Sequence, residues 1–533
     1  MTQNLELVLD LDRAYDENAQ REAAAQQLKC DVTRIHTVKI LKRSLDARGQ
    51  IRLRLQCEVW LDGPAPETVI PRPTYSPVRA ERKVIIIGCG PAGMFAALQL
   101  IEQGIKPIIL ERGKDVQARR RDLAAINREG IVNPESNYCF GEGGAGTYSD
   151  GKLYTRVKDK AAINHVLQTL VAHGANPDIL VDAHPHIGSN KLPQIVTAMR
   201  ESIRNAGGEI HFETRVDDFL IEDNRLRAVV TQDGREFSGE SFVLAAGHSG
   251  REIFELLARR GILLEAKPFA MGVRIEHPQP LIDRIQYRNA PPLPADYTGK
   301  GWRHPHLPAA SYRLAHTSKD RGVFSFCMCP GGWIVPSATR AGEVVVNGMS
   351  LSRRDSPYAN SGMVVSVDLE DLAPFEKHGA LAGLALQREL EILAYAAGGN
   401  KDQTGQIAPA QRVTDFLDNR LSSSLPATSY QPGLHSSPLH EILPPHFAKR
   451  LQDGLQHFGK SMRGYVTEEA IIVGVESRTS SPVRVPRDNN TLEHPQISGL
   501  FPCGEGAGYA GGIVSAAIDG MRVAQAAVAT INN

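Results

Sequence analysis

The clearest hydrophobic pattern in the chain is a short aliphatic run that leads through a glycine-rich turn into an apolar helix. Residues 84–87 are all aliphatic and predict a buried strand, and residues 91–103 predict a helix. Residues 108–111 predict the next strand. A strand, a helix and a strand in close succession are typical of a parallel α/β sheet. The same pattern returns from Tyr465 to the end of the chain.

The first 62 residues have a different pattern and predict a small α+β unit. Alternating residues at 5–11 predict a strand, the Ala- and Gln-rich stretch 17–28 predicts a helix, and 37–41 and 51–60 predict two further strands. Residues 63–80 are rich in proline and predict an extended linker.

The turn at residues 88–93 reads Gly-Cys-Gly-Pro-Ala-Gly, a G-x-G-x-x-G motif between strand and helix. Its first glycine permits a tight turn, its second leaves room for a diphosphate, and its third lets helix and strand pack closely. Free N–H groups at the helix start attract the diphosphate. Glu111 ends the next strand, where a carboxylate accepts hydrogen bonds from a ribose diol. The sequence therefore predicts a dinucleotide site.

Three further segments are the small-residue strand end 242–247, the stretch 499–506 with Glu505, and the glycines at 510–513 that open the last helix. The first two resemble segments that contact FAD in glutathione-reductase-type flavoproteins, and this resemblance implies FAD instead of NAD. A helix N-terminus aimed at the flavin stabilises the negative charge of its reduced form. The loop 140–147 is dense in glycine, which costs entropy and favours a ligand role over a mobile surface loop. Asp150 and Lys152 follow this loop and are expected to flank the site.

Distinctive strings extend along nearly the whole chain, at 35–48, 141–150, 325–332 and 476–484. Together with the glycine-rich last helix they resemble bacterial FAD-dependent proteins labelled NAD(FAD)-utilising dehydrogenases, within the glutathione-reductase-type flavoproteins. The resemblance implies non-covalent FAD, with the loops along the flavin and an acid on its ribityl or pyrophosphate region. That acid is usually Asp, and this chain has Glu505. The candidate cofactor residues are Gly88, Gly90, Pro91, Ala92, Gly93, Glu111, Arg112, Gly143, Gly144, Gly146, Thr147, Lys152, Val216, Ala246, Gly247, Gly504, Glu505, Gly511, Gly512 and Ile513.

The predicted fold is α/β: a Rossmann-like FAD-binding domain with a β-meander, an inserted α+β cap or substrate domain, and a small N-terminal α+β domain. The predicted division is an N-terminal domain at 1–62, the linker at 63–80, the FAD domain at 81–264 and 461–533, and the cap at 265–460.

The charge balance and the cysteine content of the chain argue against several classes of protein. Lys plus Arg and Asp plus Glu both number 60, and this balance argues against a general polyanion binder. The seven cysteines are scattered and form no C-x-x-C pair, so we expect neither a disulfide framework nor a metal site. We see no signal peptide, and glycines break the most apolar stretch, 84–101, so we expect no membrane span and a cytoplasmic location.

The catalytic residues are not evident, and Cys327, Cys329 and Arg478 are the candidates. The cysteines suggest thiol redox chemistry, or else two packed small hydrophobes. Arg478 suits an anionic substrate or a flavin carbonyl, or an ordinary ion pair. No second dinucleotide motif stands between a strand and a helix. NAD(P)H is therefore expected to dock transiently, or an organic substrate to meet the flavin directly.

Two functions follow from these patterns. The first is an FAD-dependent oxidoreductase that acts on an unidentified small molecule by hydride or electron transfer. The alternative is a flavin-binding protein with a nucleic-acid or protein partner at the N-terminal domain, where the basic residues Lys39, Lys42, Arg43, Arg52 and Arg54 cluster. We favour the interpretation of these residues as a solvated strand face, so nucleic acid is not expected. The run 119–121 is likewise interpreted as a solvated helix face.

Overall fold

The computed structural model describes residues 2–66, 73–79, 81–289, 303–401 and 405–532, so part of the predicted linker lies outside the described residues. The first unit contains β1 (Thr2–Leu9), α1 (Glu17–Leu28), β2 (Ile35–Asp46) and β3 (Arg52–Leu61), in the antiparallel order β1-β3-β2. The predicted helix is confirmed. Strand β2 is longer than predicted because two register shifts interrupt the alternation that marks a strand in the sequence.

Residues 83–244 and the late strand β22 (Leu500–Pro502) form a five-stranded parallel sheet in the order β22-β10-β4-β5-β6, which confirms the predicted Rossmann-like α/β fold. A separate antiparallel meander, β7-β8-β9, follows β6 in the chain. The elements are β4 (Lys83–Ile87), α2 (Pro91–Glu102), β5 (Lys106–Leu110), α3 (Val116–Arg128), α4 (Lys160–Ala172), α5 (Leu192–Asn205), β6 (Glu209–His211), β7 (Val216–Glu222), β8 (Arg225–Thr231), β9 (Glu236–Ser238), β10 (Ser241–Leu244) and α6 (Arg251–Arg259).

A seven-stranded sheet in the order β13-β14-β17-β12-β20-β18-β19 forms the centre of the middle unit, residues 265–476. Its elements and the last ones of the chain are β11 (Glu265–Ala266), β12 (Phe269–Pro278), α7 (Gln279–Gln286), β13 (Leu314–Ser318), β14 (Arg321–Cys329), β15 (Gly332–Pro336), β16 (Val346–Ser350), β17 (Tyr358–Val367), α8 (Ala382–Ala397), β18 (Ala408–Arg412), α9 (Val413–Leu417), β19 (Leu434–Ser436), α10 (Leu439–Ile442), α11 (Pro445–Ser461), β20 (Ile471–Glu476), β21 (Val483–Arg484), β22 (Leu500–Pro502) and α12 (Ile513–Asn532).

Strand β20 lies after the predicted division at 460/461, yet it pairs with β12 and β18 in the seven-stranded sheet. Its sequence is a buried aliphatic run, which suits a central strand of either sheet, so only the pairing assigns it. The middle unit therefore extends to Glu476, and the chain returns to the parallel sheet only at β22.

The first unit packs against the rest of the molecule. Leu7 and Leu55 belong to the same hydrophobic cluster as Val273 of β12. At its edge, the Tyr15 ring stacks on His306 with centroids 4.4 Å apart. Among the described residues, no helix has the length and apolar character needed to cross a membrane.

Candidate functional site

A cavity of about 340 Å³ lies where the parallel strands meet the middle unit. Residues directly after β4, β5, β10 and β22 line it, at the carboxyl ends where open α/β sheets bind ligands. The predicted residues on its surface are Gly88, Gly90, Pro91, Ala92, Glu111, Arg112, Gly144, Gly146, Lys152, Val216, Ala246, Gly247, Gly504, Glu505, Gly512, Ile513, Cys327, Cys329 and Arg478.

Four predicted residues, Gly93, Gly143, Thr147 and Gly511, lie outside the cavity lining. A Cβ on Gly93 would collide with the carbonyl oxygen of Gly88, so this glycine serves helix-to-strand packing. The Thr147 hydroxyl is buried and donates to the Glu142 carbonyl at 3.0 Å, which closes the loop. These residues shape the loops that reach the cavity.

The turn after β4 brings backbone to the cavity surface. Gly88 has φ of 106°, and a Cβ there would collide with the carbonyl oxygen of Ala245. Gly90 caps α2, and the closest atom to a Cβ built on it is the Gly144 Cα, 3.9 Å away. A side chain at Gly90 would therefore occupy cavity space between two glycine loops, where a diphosphate needs to approach the helix start.

Glu111 lines the cavity and also braces these loops. Its carboxylate accepts backbone N–H bonds from Cys89 at 2.9 Å, Gly113 at 2.8 Å and Gly141 at 2.9 Å. The sequence predicts a ribose contact here, and the structure adds this bracing role. Its neighbour Arg112 is held by Glu135 and Glu252, each at 3.0 Å.

The interpretation of Arg119 as part of a solvated helix face is wrong. Its side chain is fully buried, and its guanidinium donates to four backbone carbonyls of the loop, those of Asn137, Tyr138, Glu142 and Gly144, at 2.8–3.0 Å. The sequence does contain a signal for this burial. Val116, Arg119, Leu123 and Ile126 are three or four residues apart, so Arg119 shares the buried face of α3 with three apolar residues. Arg119 is thus a positioning residue for the glycine loop.

Glu505 lies in the lining, and its carboxylate oxygen is 3.6 Å from Nδ1 of His248. The other ring nitrogen of His248 is 3.0 Å from the Arg478 carbonyl oxygen. Burial lowers the pKa of His248, but the Glu505 carboxylate outweighs burial and the net pKa is raised. Sequence reasoning missed His248, although it directly follows the predicted segment 242–247.

The middle unit and the residues directly after it contribute a charged surface to the same cavity. Arg274 is fully buried, and its guanidinium lies 2.7 and 2.9 Å from the two Glu476 carboxylate oxygens. Arg478 lies 2.8 Å from Glu391 and 3.1 Å from Glu343. The Arg478 guanidinium is therefore held in buried ion pairs, in agreement with the interpretation of this residue as a member of an ordinary ion pair. We call Arg274, Glu476 and Arg478 the ion-pair wall.

The two candidate cysteines differ. Cys329 is buried, and its sulfur lies 3.4 Å from the Arg274 guanidinium. Cys327 lies at a register shift of β14, has φ of 49°, and is exposed to the cavity. The surrounding protein atoms keep water away from the sulfur, and this desolvation raises the pKa of the Cys327 thiol to about 11. The thiol is therefore protonated at neutral pH. Both cysteines are free thiols.

Lys152 and Asp150 sit between the glycine loop and the middle unit. The Lys152 ammonium donates to the Met328 carbonyl and lies 3.8 Å from Asp150. Burial raises the pKa of Asp150, but Lys152 and Arg354 outweigh burial and keep the net pKa below its usual range. Lys152 thus places a cation on the cavity surface.

The backbone surface formed by 88–92, 144–146, 246–247, 504–505 and 512–513 is the glycine wall. It fits FAD, because Gly90 leaves the start of α2 open and Gly512 and Ile513 bring the start of α12 to the same cavity. The diphosphate would lie on the α2 turn, and the flavin near the start of α12.

Comparisons with known proteins agree with this assignment. Residues 81–242 match the family described as "FAD binding domain", and residues 268–479 match "FAD-dependent protein, C-terminal domain-like". Residues 1–60 match a domain of unknown function, DUF8436.

Individual proteins give matches of very different extent. An "Uncharacterized protein" of Clostridium beijerinckii is 39% identical over 98% of this chain and 97% of its own length. The tRNA uridine 5-carboxymethylaminomethyl modification enzyme MnmG of Bacillus licheniformis is 26% identical over 31% of this chain and 24% of that enzyme.

Among solved structures, CtdE in complex with FAD is 12% identical, with a TM-score of 0.31 over 84% of each chain, a likeness too weak to carry an argument. The family matches and the fit of the glycine wall identify FAD as the cofactor. By its near full-length identity, the chain belongs to the same protein family as the Clostridium beijerinckii protein.

Proposed function

We propose that the protein is an FAD-dependent oxidoreductase that acts on a small molecule by hydride or electron transfer, with FAD held non-covalently. The observation that carries the proposal is the shared cavity: the glycine wall and the ion-pair wall face the same space. A pure FAD store needs no second wall of polar side chains. The fold supports a place among the glutathione-reductase-type flavoproteins, which we also propose.

The residues of this chain would divide the work between cofactor and substrate. The glycine wall would hold the diphosphate and the flavin, and bound FAD supplies two-electron redox chemistry. Lys152 and the polar groups of Asn347 and Thr479 also line the cavity. They would orient a polar substrate and give it hydrogen bonds.

NAD(P)H is proposed as a transient reductant. The described residues contain one five-stranded parallel sheet, and the FAD site uses its glycine turn. A resident nicotinamide domain of the same kind is absent from the described ranges, so a nicotinamide cofactor would enter the shared cavity and leave again.

The test is anaerobic mixing of the FAD-loaded protein with NADH, NADPH and a panel of polar metabolites. We expect at least one compound to bleach the flavin absorbance band. Lys152→Met should slow the bleaching, whereas Lys377→Met, which removes an exposed lysine far along the chain, should not. Absence of bleaching with every reductant would contradict the proposal.

The alternative, a nucleic-acid partner at the first unit, has less support. The Arg54 guanidinium is paired with Asp46 at 3.0 Å and with Glu6 at 2.7 Å, and Arg43 is paired with Asp182 at 2.8 Å. These carboxylates neutralise much of the basic cluster that suggested phosphate binding. MnmG acts on tRNA by its name, but it matches under a third of this chain. Salt-sensitive retention of RNA in a filter-binding assay would revive this alternative.

We propose a cytoplasmic location because all seven cysteines are free thiols, as in a reducing compartment. Cell fractionation that finds the protein outside the cytoplasm would contradict this.

A further inference from the structure

Two cations reach neighbouring carbonyl groups at a bulge of β14. The register of β14 against β17 shifts between residues 326 and 329, and the bulge leaves the carbonyls of Cys327 and Met328 able to accept other donors. The Arg274 guanidinium donates to the Cys327 carbonyl at 2.9 Å, and the Lys152 ammonium donates to the Met328 carbonyl. Because these two carbonyls belong to consecutive residues, both cations reach the same part of the cavity lining.

The charges of the two cations are compensated differently. The Arg274 guanidinium has its own carboxylate, Glu476, at 2.7 Å. Lys152 lies 3.8 Å from Asp150, but Arg354 donates to both oxygens of that carboxylate. In this group of five residues, three cations share two carboxylates, so one positive charge is in excess. The Lys152 side chain carries it, since 39% of that side chain is exposed and it lines the cavity.

Asn347 adds a hydrogen-bond donor to the same part of the cavity. Its side-chain oxygen accepts from the Gly348 N–H at 2.8 Å and lies 3.5 Å from the Arg274 guanidinium. These donors fix the orientation of the amide, so its NH₂ group is directed away from them and has no acceptor among the residues that the structure describes. Asn347 is exposed and lines the cavity, which therefore presents an ammonium and an amide NH₂ close to Arg274.

We propose that Lys152 and Asn347 form the anchor for a carboxylate group of the substrate, and that the substrate class is a small organic monocarboxylate. A carboxylate carries one negative charge and two acceptor oxygens, which match one excess positive charge and two donor groups. A phosphate monoester, with a charge of about −1.5 to −2, would leave negative charge uncompensated in the cavity that Glu476 also lines. The inference rests on the proposed function, because it names the class of molecule that would meet the FAD.

The anchor is separate from the diphosphate site. Lys152 is tied to the middle unit through the Met328 carbonyl, whereas the diphosphate site is the start of α2 at Gly90. Both lie on the surface of one cavity, so a carboxylate held at the anchor shares that cavity with FAD.

The experiment titrates the oxidised, FAD-loaded protein with propionate and benzoate, and separately with propionamide and benzamide, the neutral amides of the same shape. The readout is the change in the flavin absorbance spectrum, which needs no turnover. We expect a saturable change with at least one carboxylate and binding of its amide that is weaker by at least about tenfold, because the amide lacks the charge. Methyl phosphate, the second anion, should bind more weakly than the carboxylate.

Variants then test the two anchor residues. Lys152→Met should weaken carboxylate binding at least about tenfold and leave amide binding unchanged, whereas Lys152→Arg keeps the charge and should retain most of the affinity. Asn347→Asp should weaken carboxylate binding because it replaces a donor by a negative charge. The matched control is Lys377→Met, which removes an exposed lysine and should change nothing.

Binding of neither carboxylate, equal binding of a carboxylate and its amide, or tighter binding of methyl phosphate would overturn the inference, as would unchanged carboxylate affinity in Lys152→Met. If Lys152→Met does not fold or does not hold FAD, Asn347→Asp decides: weaker carboxylate binding supports the anchor, and unchanged binding overturns it. Bleaching by reductants is a separate measurement. Bleaching without carboxylate binding would overturn only the anchor, and carboxylate binding without any bleaching would contradict only the proposed oxidoreductase.

Discussion

The glycine wall and the ion-pair wall enclose the same cavity and are built in opposite ways. The glycine wall is mostly backbone from short stretches at strand ends, such as 88–92 after β4. The ion-pair wall consists of buried charged side chains whose partners are distant in the chain, such as Arg274 and Glu476. The difference teaches that a cofactor shared by many proteins is held by local backbone geometry, whereas the opposite surface depends on long-range pairing.

The largest expected effect comes from breaking a buried pair of the ion-pair wall. Arg274→Met leaves the Glu476 carboxylate buried without its partner, so we expect the free energy of unfolding to fall by about 3–5 kcal/mol. Urea denaturation followed by circular dichroism measures the change. Arg274→Met combined with Glu476→Leu should recover part of the loss, because neither charge of this pair is then buried. If Arg274→Met alone were as stable as the wild-type protein, the stabilising role assigned to the Arg274–Glu476 pair would be contradicted.

A side chain on the glycine wall should act on binding instead of folding. Gly90→Val fills cavity space at the start of α2, and we expect FAD affinity to fall at least about 100-fold, or about 2.7 kcal/mol. Flavin fluorescence titration measures the affinity. The control is Gly49→Ala, where a Cβ meets no atom within 4 Å. Normal FAD binding by Gly90→Val would exclude the α2 turn as the diphosphate site.

Glu111 tests whether the glycine wall depends on a single side chain. In Glu111→Gln the amide NH₂ faces backbone N–H donors, so one carboxylate contact is lost and FAD affinity should fall about tenfold, or about 1.4 kcal/mol. The same fluorescence titration applies, with the exposed Glu129→Gln as control. An unchanged affinity would mean that the loops hold their shape without the carboxylate.

Glu252 connects the unit of the parallel sheet with the middle unit. Its carboxylate pairs with Arg112, which follows β5, at 3.0 Å and with Arg340 of the middle unit at 2.9 Å. Burial raises the pKa of Glu252, but the two arginines outweigh burial and lower the net pKa to about 2. The folded value lies below the unfolded value of about 4.3, so the carboxylate stabilises the fold above that pH. This stabilisation is lost as the pH falls toward 2.

Glu252→Gln should therefore lower the free energy of unfolding at neutral pH by roughly 1 kcal/mol, after allowance for solvent screening of a side chain that is 33% exposed. The difference from wild type should shrink below pH of about 4.3. Thermal unfolding across the acidic range checks the sign. A difference that grows on acidification would contradict the pairing.

Much of the parallel sheet and of the glycine wall could be predicted from the sequence, because the patterns that indicate them lie within short stretches of chain. The aliphatic run before the turn predicts β4, and the glycine spacing predicts the dinucleotide turn within a few residues of chain. The α1 helix at Glu17–Leu28 was likewise predictable from composition alone. The burial of Arg119 was not predicted, because a run of three arginines is typical of a solvated helix face. The apolar residues that share its face of α3 indicate the opposite.

The amino-acid sequence by itself determined the Rossmann-like fold, the FAD cofactor and the backbone of the glycine wall, since each follows from residues close together in the chain. Only the tertiary structure decided that β20 belongs to the middle sheet, that Arg478 is held by Glu391, and that His248 stands between Glu505 and the Arg478 carbonyl. The physical reason is that a buried charge is stabilised by whichever partner the fold brings within a few ångströms, and chain order does not record that distance.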